Sequence, residues 1–154
     1  MRKILVSECL YGDRIVRYDG KDYSETDPRF LRWKKEGRLI GACPEVIGGL
    51  SIPRPPSQRQ KDGTVMDSTG EDVTKEYAKG AEATVRLAKE NDVLFCIMKT
   101  NSPSCGSRFV YDGTFTGNKI KGQGLTVGCL RAAGFTVFGE DQLNEAEEMI
   151  KKTP

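Results

Sequence analysis

Val93-Leu94-Phe95-Cys96-Ile97-Met98 is a run of six apolar residues that lies between the charged residues Asp92 and Lys99. A continuous apolar run of this length, bounded by charge, is typical of a central strand buried on both faces of a parallel sheet. Outward along the chain, shorter apolar runs predict three further strands, at Lys3–Ser7, Leu39–Ala42 and Thr136–Phe138.

Helices are predicted between these strands from the spacing of apolar residues and from capping residues. They span Asp27–Lys35, about Val73–Glu90, Leu125–Ala133 and Leu143–Lys152. Asp27 and Asp72 are the predicted N-caps of the first two helices, and Gly134 is predicted to end the third. Because strands alternate with helices, the chain is predicted to be an α/β protein, a three-layer sandwich with a mostly parallel, Rossmann-like sheet.

The segments outside this alternation are predicted from their turn-forming residues. Glycine and proline are frequent between residues 47 and 61, which predicts a long loop with polyproline character around Pro53–Pro56. Short strands are predicted at Thr64–Asp67, on a sheet edge, and at Phe109–Tyr111.

The composition restricts the class of protein. The 154 residues carry 24 basic and 22 acidic side chains, a net charge of +2, five cysteines and no histidine. The length predicts one domain over residues 1–154, and the balanced charge argues against an extended nucleic-acid surface.

No apolar run is long enough for a membrane span or a signal-peptide core, so a cytoplasmic location is expected. Disulfides are uncommon there, and an odd number of cysteines indicates metal binding or catalysis. The sequence sets no oligomeric state.

Three cysteines follow predicted strands in loops that also contain glycine or proline. Cys9 comes after the first strand, Cys43 after the second, and Cys105 after the apolar run at 93–98. The carboxyl ends of parallel strands are where ligands bind in open α/β sheets, so the three thiols are predicted to share a site. Thiolates without imidazole favour zinc, copper(I) or an iron–sulfur cluster, and the alternative is three unrelated turn cysteines. Cys96 and Cys129 are predicted to pack in the core.

Polar residues near these cysteines are candidates for catalysis. Glu45 lies two residues after Cys43, and a carboxylate is the natural general acid/base in a chain without histidine. Ser102 and Ser104 precede Cys105, and their hydroxyls are candidates to donate to a substrate or to attack it. The alternatives are a solvated loop glutamate and turn serines that bond their own backbone.

Candidate substrate-binding residues lie in two loops. Tyr18 and Asp19 share a turn whose simplest interpretation is an ordinary turn, and the alternative is stacking against and recognition of a small planar ligand. Arg54, in the proline-rich loop, is a candidate to neutralise a cluster or bind a phosphate, and the alternative is an exposed salt bridge. Ser104 belongs to the same group of candidates.

Seven segments together resemble the thiouracil desulfurase family, and they occur in order along nearly the whole chain. They are Ser7–Gly12, Arg17–Gly20, Cys43–Leu50, Pro53–Pro56, Gly70–Thr74, Ser102–Gly106 and Tyr111–Phe115. The resemblance implies a [4Fe-4S] cluster bound by Cys9, Cys43 and Cys105, with Glu45 as acid/base and Ser102 as an essential serine. The chain departs from the family pattern at Gln58, where glutamate is frequent, so the resemblance assigns no role to the loop that contains Gln58, while the cluster assignment is unaffected.

The function implied is the non-redox desulfuration of a thiolated uracil, from C=S to C=O, with release of hydrosulfide. The related tRNA-acting enzymes carry an additional domain that is absent from this chain, so a small base or nucleotide is the expected substrate. A non-catalytic metal- or cluster-binding module that recognises a partner is the alternative. A thiol redox protein is disfavoured, because the chain has no CxxC pair.

Overall fold

Four parallel strands form the central sheet of the structure, a computed structural model that describes residues 1–100, 102–107 and 109–153. In this part of the chain the strands are β1 (Ile4–Ser7), β2 (Leu39–Ala42), β3 (Ser57–Arg59), β4 (Val65–Asp67), β5 (Cys96–Met98), β6 (Phe109–Tyr111), β7 (Lys119–Lys121) and β8 (Val137–Gly139). The helices are α1 (Glu8–Tyr11), α2 (Pro28–Lys35), α3 (Pro44–Ile47), α4 (Thr74–Glu90), α5 (Leu125–Ala132) and α6 (Leu143–Lys152).

The order of the central sheet is β2-β1-β5-β8, and every neighbouring pair is parallel. Leu5 of β1 pairs with Ile40 of β2 on one side and with Cys96 of β5 on the other. The chain therefore moves first to one side of β1 and later to the other. Such a switch point leaves a crevice at the carboxyl ends of the strands, where ligands bind in open α/β sheets.

Both faces of the sheet are covered, as the apolar strands predict. Successive side chains of β1 alternate between two clusters, with Ile4 and Val6 in one and Leu5 in the other. The first cluster also contains Phe30, Trp33, Phe95, Ile97, Leu143 and Ala146. The second also contains Ala88, Cys96, Met98, Val127, Leu130 and Val137. Helices α2 and α6 thus cover one face and α4 and α5 the other, which confirms the three-layer α/β sandwich.

The ends of three predicted helices follow their capping chemistry. The Asp27 side chain accepts a hydrogen bond from the backbone N–H of Arg29, which confirms this N-cap. Helix α4 begins one residue later than the Asp72 prediction, because Val73 occupies the N-cap position and Asp72 instead accepts from the N–H of Thr74. Gly134, at φ +95°, follows the end of α5 as predicted.

Helix α4 buries one face against the sheet. Tyr77, Ala81 and Ala88 are buried, and Val85 is half-buried against the second cluster. Its other faces carry charged residues. No helix in the described ranges is both long and apolar enough to cross a membrane.

The second and third sheets are where the sequence predictions were incomplete. Residues 47–61 were predicted as loop, but β3 lies there and pairs antiparallel with β4. The 64–67 strand therefore belongs to a separate hairpin and not to the edge of the main sheet. Strand β7, which pairs with β6, was not predicted either. Ser57-Gln58-Arg59 and Lys119-Ile120-Lys121 have no apolar pattern of their own, so only their partners define them as strands.

Helices α3 and α4 contact each other through their backbones. A Cβ built on Gly80 of α4 would lie 1.9 Å from the carbonyl oxygen of Pro44, and one on Gly48 would lie 1.9 Å from that of Glu76. Neither position has room for a methyl group. Because Pro44 follows Cys43 directly, this contact sets the place of the Cys43 turn.

We expect Gly80→Ala to lower the free energy of unfolding by about 1–3 kcal/mol, since the methyl group must push the two helix backbones apart. Gly128→Ala is the matched control, because a Cβ at Gly128 of α5 meets the flexible end of the Gln123 side chain at 3.2 Å. That change is expected to be neutral or stabilising by up to about 1 kcal/mol. Chemical denaturation measures both, and equal effects would contradict the packing argument.

Candidate active site

A cavity of about 390 Å³ lies at the carboxyl ends of β1, β2 and β5. Seven of the nine site residues predicted from the sequence line it, namely Cys9, Tyr18, Cys43, Glu45, Arg54, Ser102 and Cys105. The other two, Asp19 and Ser104, are not part of the lining. The crevice predicted at the switch point of the sheet is thus the place where these side chains meet.

The three loop cysteines reach the cavity from adjacent strands. Cys9 lies in α1, directly after β1; Cys43 is the N-cap residue of α3, directly after β2; and Cys105 lies in the turns that follow β5. Cys105 is 5% exposed, and the other two are half-buried. Of the two cysteines predicted to pack in the core, Cys96 is fully buried within β5, whereas Cys129 is only half-buried on α5.

Burial holds the loop thiols in their neutral form. It raises the pKa of Cys9 to about 12, with the charge of Cys43 acting in the same direction. Burial also raises the pKa of Cys43, helped by the Glu45 carboxylate, and it raises the pKa of Cys105. The positive charge of a metal bound by thiolates favours deprotonation and would offset this effect of burial.

The donor set consists of thiols, which are the ligands that zinc, copper(I) and iron–sulfur clusters prefer. Within residues 1–100, 102–107 and 109–153, no three cysteine or acidic side chains lie close enough to hold one metal ion. The cysteines that hold an iron–sulfur cluster bind different iron atoms, so they need not converge on one point. Three thiols around a cavity, without histidine, are therefore the residues that could hold a cluster here.

Glu45 is held by hydrogen bonds to both carboxylate oxygens. Arg54 Nε donates to Oε1 at 3.1 Å, and Ser104 Oγ donates to Oε2 at 3.0 Å. Ser102 Oγ lies 3.5 Å from the same Oε2. The side chain is 13% exposed and lines the cavity. Glu45 is thus not the solvated loop glutamate of the alternative interpretation, but an oriented carboxylate beside the thiols.

The Arg54 side chain is buried and donates three hydrogen bonds, so the exposed salt bridge considered from the sequence is wrong. Its side chain is 5% exposed, and besides Glu45 it contacts two backbone carbonyls. Nη1 donates to Ser51 O at 3.1 Å and Nη2 to Val16 O at 3.0 Å. This guanidinium therefore ties the proline-rich loop to the turn before Tyr18 and fixes Glu45 between them.

The two serines before Cys105 differ in their contacts. Ser102 Oγ accepts hydrogen bonds from the backbone N–H groups of Ser104 at 3.2 Å and Cys105 at 3.1 Å, and it lines the cavity. Ser104 is 1% exposed, and its Oγ lies 3.5 Å from Cys105 Sγ. Gly106 completes the turn, where a Cβ would lie 2.7 Å from Ser102 O. Ser102 thus both forms the turn that presents Cys105 and faces the cavity.

In the turn at 17–20, only one of the two predicted substrate-binding residues lines the cavity. Tyr18 is 41% exposed and lines the cavity. Asp19 instead pairs with Arg17 at 3.2 Å, and this hydrogen-bonded guanidinium lowers the pKa of Asp19. Arg17 itself lines the cavity.

Lys99, Gln58 and Tyr111 are among the lining residues that were not predicted from the sequence. Lys99 directly follows β5, so its place at the carboxyl end of that strand was a usable signal. Its Nζ lies 2.6 Å from Glu140 Oε2. Gln58 and Tyr111 come from β3 and β6, whose positions over the cavity depend on tertiary packing, although the family segment Tyr111–Phe115 was a usable signal for Tyr111.

Comparisons with protein families and solved structures identify relatives of this chain. The model of the 2-thiouracil desulfurase family matches residues 4–142. The chain belongs to this family. The [4Fe-4S]-dependent thiouracil desulfidase TudS is a solved structure similar to this family member, with a TM-score of 0.95 and 41% sequence identity over 99% of this chain and 100% of that chain. The uncharacterized protein YbbK of Bacillus subtilis (strain 168) is 42% identical over 151 residues, which cover 92% of this chain and 98% of the relative. The family resemblance found in the sequence is confirmed.

We expect Arg54→Lys to lower the free energy of unfolding by about 2–4 kcal/mol, because one ammonium cannot serve the three acceptors that the guanidinium joins. Arg86→Lys is the control, since Arg86 forms an exposed pair with Glu82 on α4. Its effect is expected to stay within about 0.5 kcal/mol. Anaerobic denaturation compares the two variants, and a loss at Arg54 no larger than at Arg86 would contradict the role of this ion pair.

Proposed function

We propose that this chain hydrolyses the thiocarbonyl of a thiolated uracil, with Cys9, Cys43 and Cys105 holding a [4Fe-4S] cluster and Glu45 moving the proton. Family membership and the similarity to TudS indicate iron–sulfur-dependent thiouracil desulfidase activity, and the non-catalytic binding module is not favoured. The observation that carries the residue assignment is the meeting of three thiols and an oriented carboxylate in one cavity.

The three thiols fit the cluster because all are soft donors at adjacent strand ends and no imidazole competes with them. When bound by three cysteines, a [4Fe-4S] cluster leaves one iron open as a Lewis acid toward the thiocarbonyl sulfur. The chain's own residues then have to bind the ring, deliver water to its carbon and move protons.

Glu45 is the residue proposed to move the proton. Arg54 and Ser104 hold its two oxygens, so the carboxylate keeps one orientation toward the cavity. It accepts a proton from the attacking water and returns one to the departing sulfur. The balance is thiouracil plus water giving uracil plus hydrogen sulfide; the C=S bond is replaced by C=O, and no electron is gained or lost. Positioned acid/base groups of this kind contribute roughly 10²–10⁴ to the rate.

Water, rather than Ser102, is the nucleophile in this proposal. Ser102 Oγ accepts hydrogen bonds from two backbone N–H groups, and a hydroxyl oxygen has only two lone pairs. Attack on a carbon would require one of these pairs and would break a hydrogen bond that shapes the Cys105 turn. Ser102 therefore supports the turn, and its own proton remains for donation toward Glu45, Ser104 or the substrate.

The substrate is proposed to be a small base or nucleotide. A cavity of about 390 Å³ lies within the range of small-molecule sites, about 300–1,000 Å³. A net charge of +2 supports no extended nucleic-acid surface. We also propose that residues 1–154 act as one domain in the cytoplasm, where the five free cysteines would stay reduced.

Anaerobic iron and sulfide quantification, measured beside thiouracil turnover, tests the cluster assignment. Cys9→Ser, Cys43→Ser and Cys105→Ser should each lose the cluster and the activity. Cys96→Ala is the control, because Cys96 is buried within a strand and should cost only about 1 kcal/mol of packing stability. Loss of the cluster in Cys96→Ala, or turnover by an iron-free preparation, would refute the assignment.

Single-turnover kinetics of Glu45→Gln and Ser102→Ala separate the two catalytic roles. Glu45→Gln should keep the cluster and lose roughly 10²–10⁴ in rate, because the amide cannot accept the proton. Ser102→Ala should keep measurable turnover, reduced roughly tenfold by one lost hydrogen-bonding group. Complete loss of turnover in Ser102→Ala with the cluster intact would identify Ser102 as the nucleophile instead.

A further inference from the structure

Gln58 joins the wall of the cavity to the β6–β7 hairpin. It lies in β3, is 8% exposed and lines the cavity. Its Oε1 accepts hydrogen bonds from the backbone N–H of Gly113 at 2.9 Å and of Phe115 at 3.2 Å. Phe115 has a φ of +58°, which is uncommon for a residue other than glycine, so the turn is held in a conformation that these bonds help to define.

These contacts determine which end of the amide is free. A backbone N–H can only donate, so the oxygen of Gln58, and not its NH₂ group, must face Gly113 and Phe115. Nε2 therefore lies on the other branch of the amide. In the part of the chain that the structure describes, no protein group accepts a hydrogen bond from it. A buried amide in the cavity wall thus keeps two donors for whatever binds there.

The charged donors of the cavity are already engaged. Arg17 pairs with Asp19, Arg54 with Glu45, and Lys99 with Glu140. A neutral amide donor suits a neutral acceptor, and leaving such a donor unpaired in a buried site costs free energy. A uracil that carries sulfur at one ring carbon keeps a carbonyl oxygen at the other, and that oxygen is a neutral acceptor.

We propose that Gln58 is a substrate-recognition residue whose Nε2 donates to the carbonyl oxygen that the thiolated uracil retains. This inference rests on the proposed function, which supplies the ligand. Gln58 selects a ring that keeps a carbonyl across N3 from the thiocarbonyl, while the hydrogen bonds to Oε1 keep the amide from rotating. The same side chain thereby couples the β6–β7 hairpin, whose Tyr111 lines the cavity, to the bound ring.

Two substrates and two protein variants test this contact. Pyrimidine-2-thione lacks the carbonyl of 2-thiouracil, and Gln58→Glu keeps an oxygen for Gly113 and Phe115 but replaces the donor by an acceptor. We expect Gln58→Glu to raise the KM of the cluster-loaded enzyme for 2-thiouracil roughly tenfold at similar kcat, with little change for pyrimidine-2-thione. The variant should also reduce the difference in KM between 2-thiouracil and pyrimidine-2-thione.

Gln60→Glu is the matched control. Gln60 lies just beyond β3, and its Nε2 donates to Gly113 O at 3.2 Å, but it does not line the cavity. Its replacement loosens the same hairpin without touching the ligand, so both KM values should stay unchanged. An equal rise for both compounds in Gln58→Glu, or an unchanged KM for 2-thiouracil, would overturn the proposal.

Calorimetric binding of 2-thiouracil and of pyrimidine-2-thione to the same proteins separates this inference from the proposed function. If the wild type turns over 2-thiouracil but binds the two compounds equally well, or if Gln58→Glu does not weaken the binding of 2-thiouracil, only the inference about Gln58 is refuted. Carbonyl-dependent binding that Gln58→Glu weakens, without turnover, would refute the proposed function alone. Failure of both binding and turnover would refute both.

Discussion

The parallel pairing of β1 with β2 on one side and β5 on the other is the constraint on which the rest of the structure depends. Parallel strands end at the same edge of a sheet, so the residues that follow them are brought together regardless of their distance in sequence. Cys9, Cys43 and Cys105 are the residues delivered there. Apolar burial on both faces holds the strands in place, and the cavity is a consequence of their topology.

The buried ion pair between Arg54 and Glu45 orients the carboxylate inside the site. Arg54 fixes Glu45 and two backbone carbonyls, and thereby joins segments that the sheet alone would leave independent. Buried ion pairs add little net stability, but they impose one arrangement, since any other leaves a buried charge unpaired. In this site that arrangement keeps a carboxylate beside thiols whose burial holds them neutral. The other cations among the described lining residues, Arg17 and Lys99, are paired as well.

The sequence predicted the secondary structure correctly where it depends on a few neighbouring residues. The apolar run at 93–98 predicted a buried central strand, and Asp27 predicted the start of α2, because burial and capping act over a few residues. The predicted start of α4 was wrong by one residue, because Val73 and not Asp72 occupies the N-cap position, while the Asp72 side chain accepts a hydrogen bond from the N–H of Thr74. Strands β3 and β7 were missed because they are short and polar, so only pairing with β4 and β6 makes them strands.

The sequence by itself determined the layer order, the three cysteine turns and the family, since these depend on local apolar pattern and on specific motifs. Only the tertiary structure decided which polar groups face the cavity. It turned Asp19 toward Arg17, placed Ser104 behind Glu45 and brought Gln58 into the wall. Orientation of a side chain depends on partners far away in sequence, and a buried hydrogen-bonding group is satisfied by whichever partner folding brings within reach.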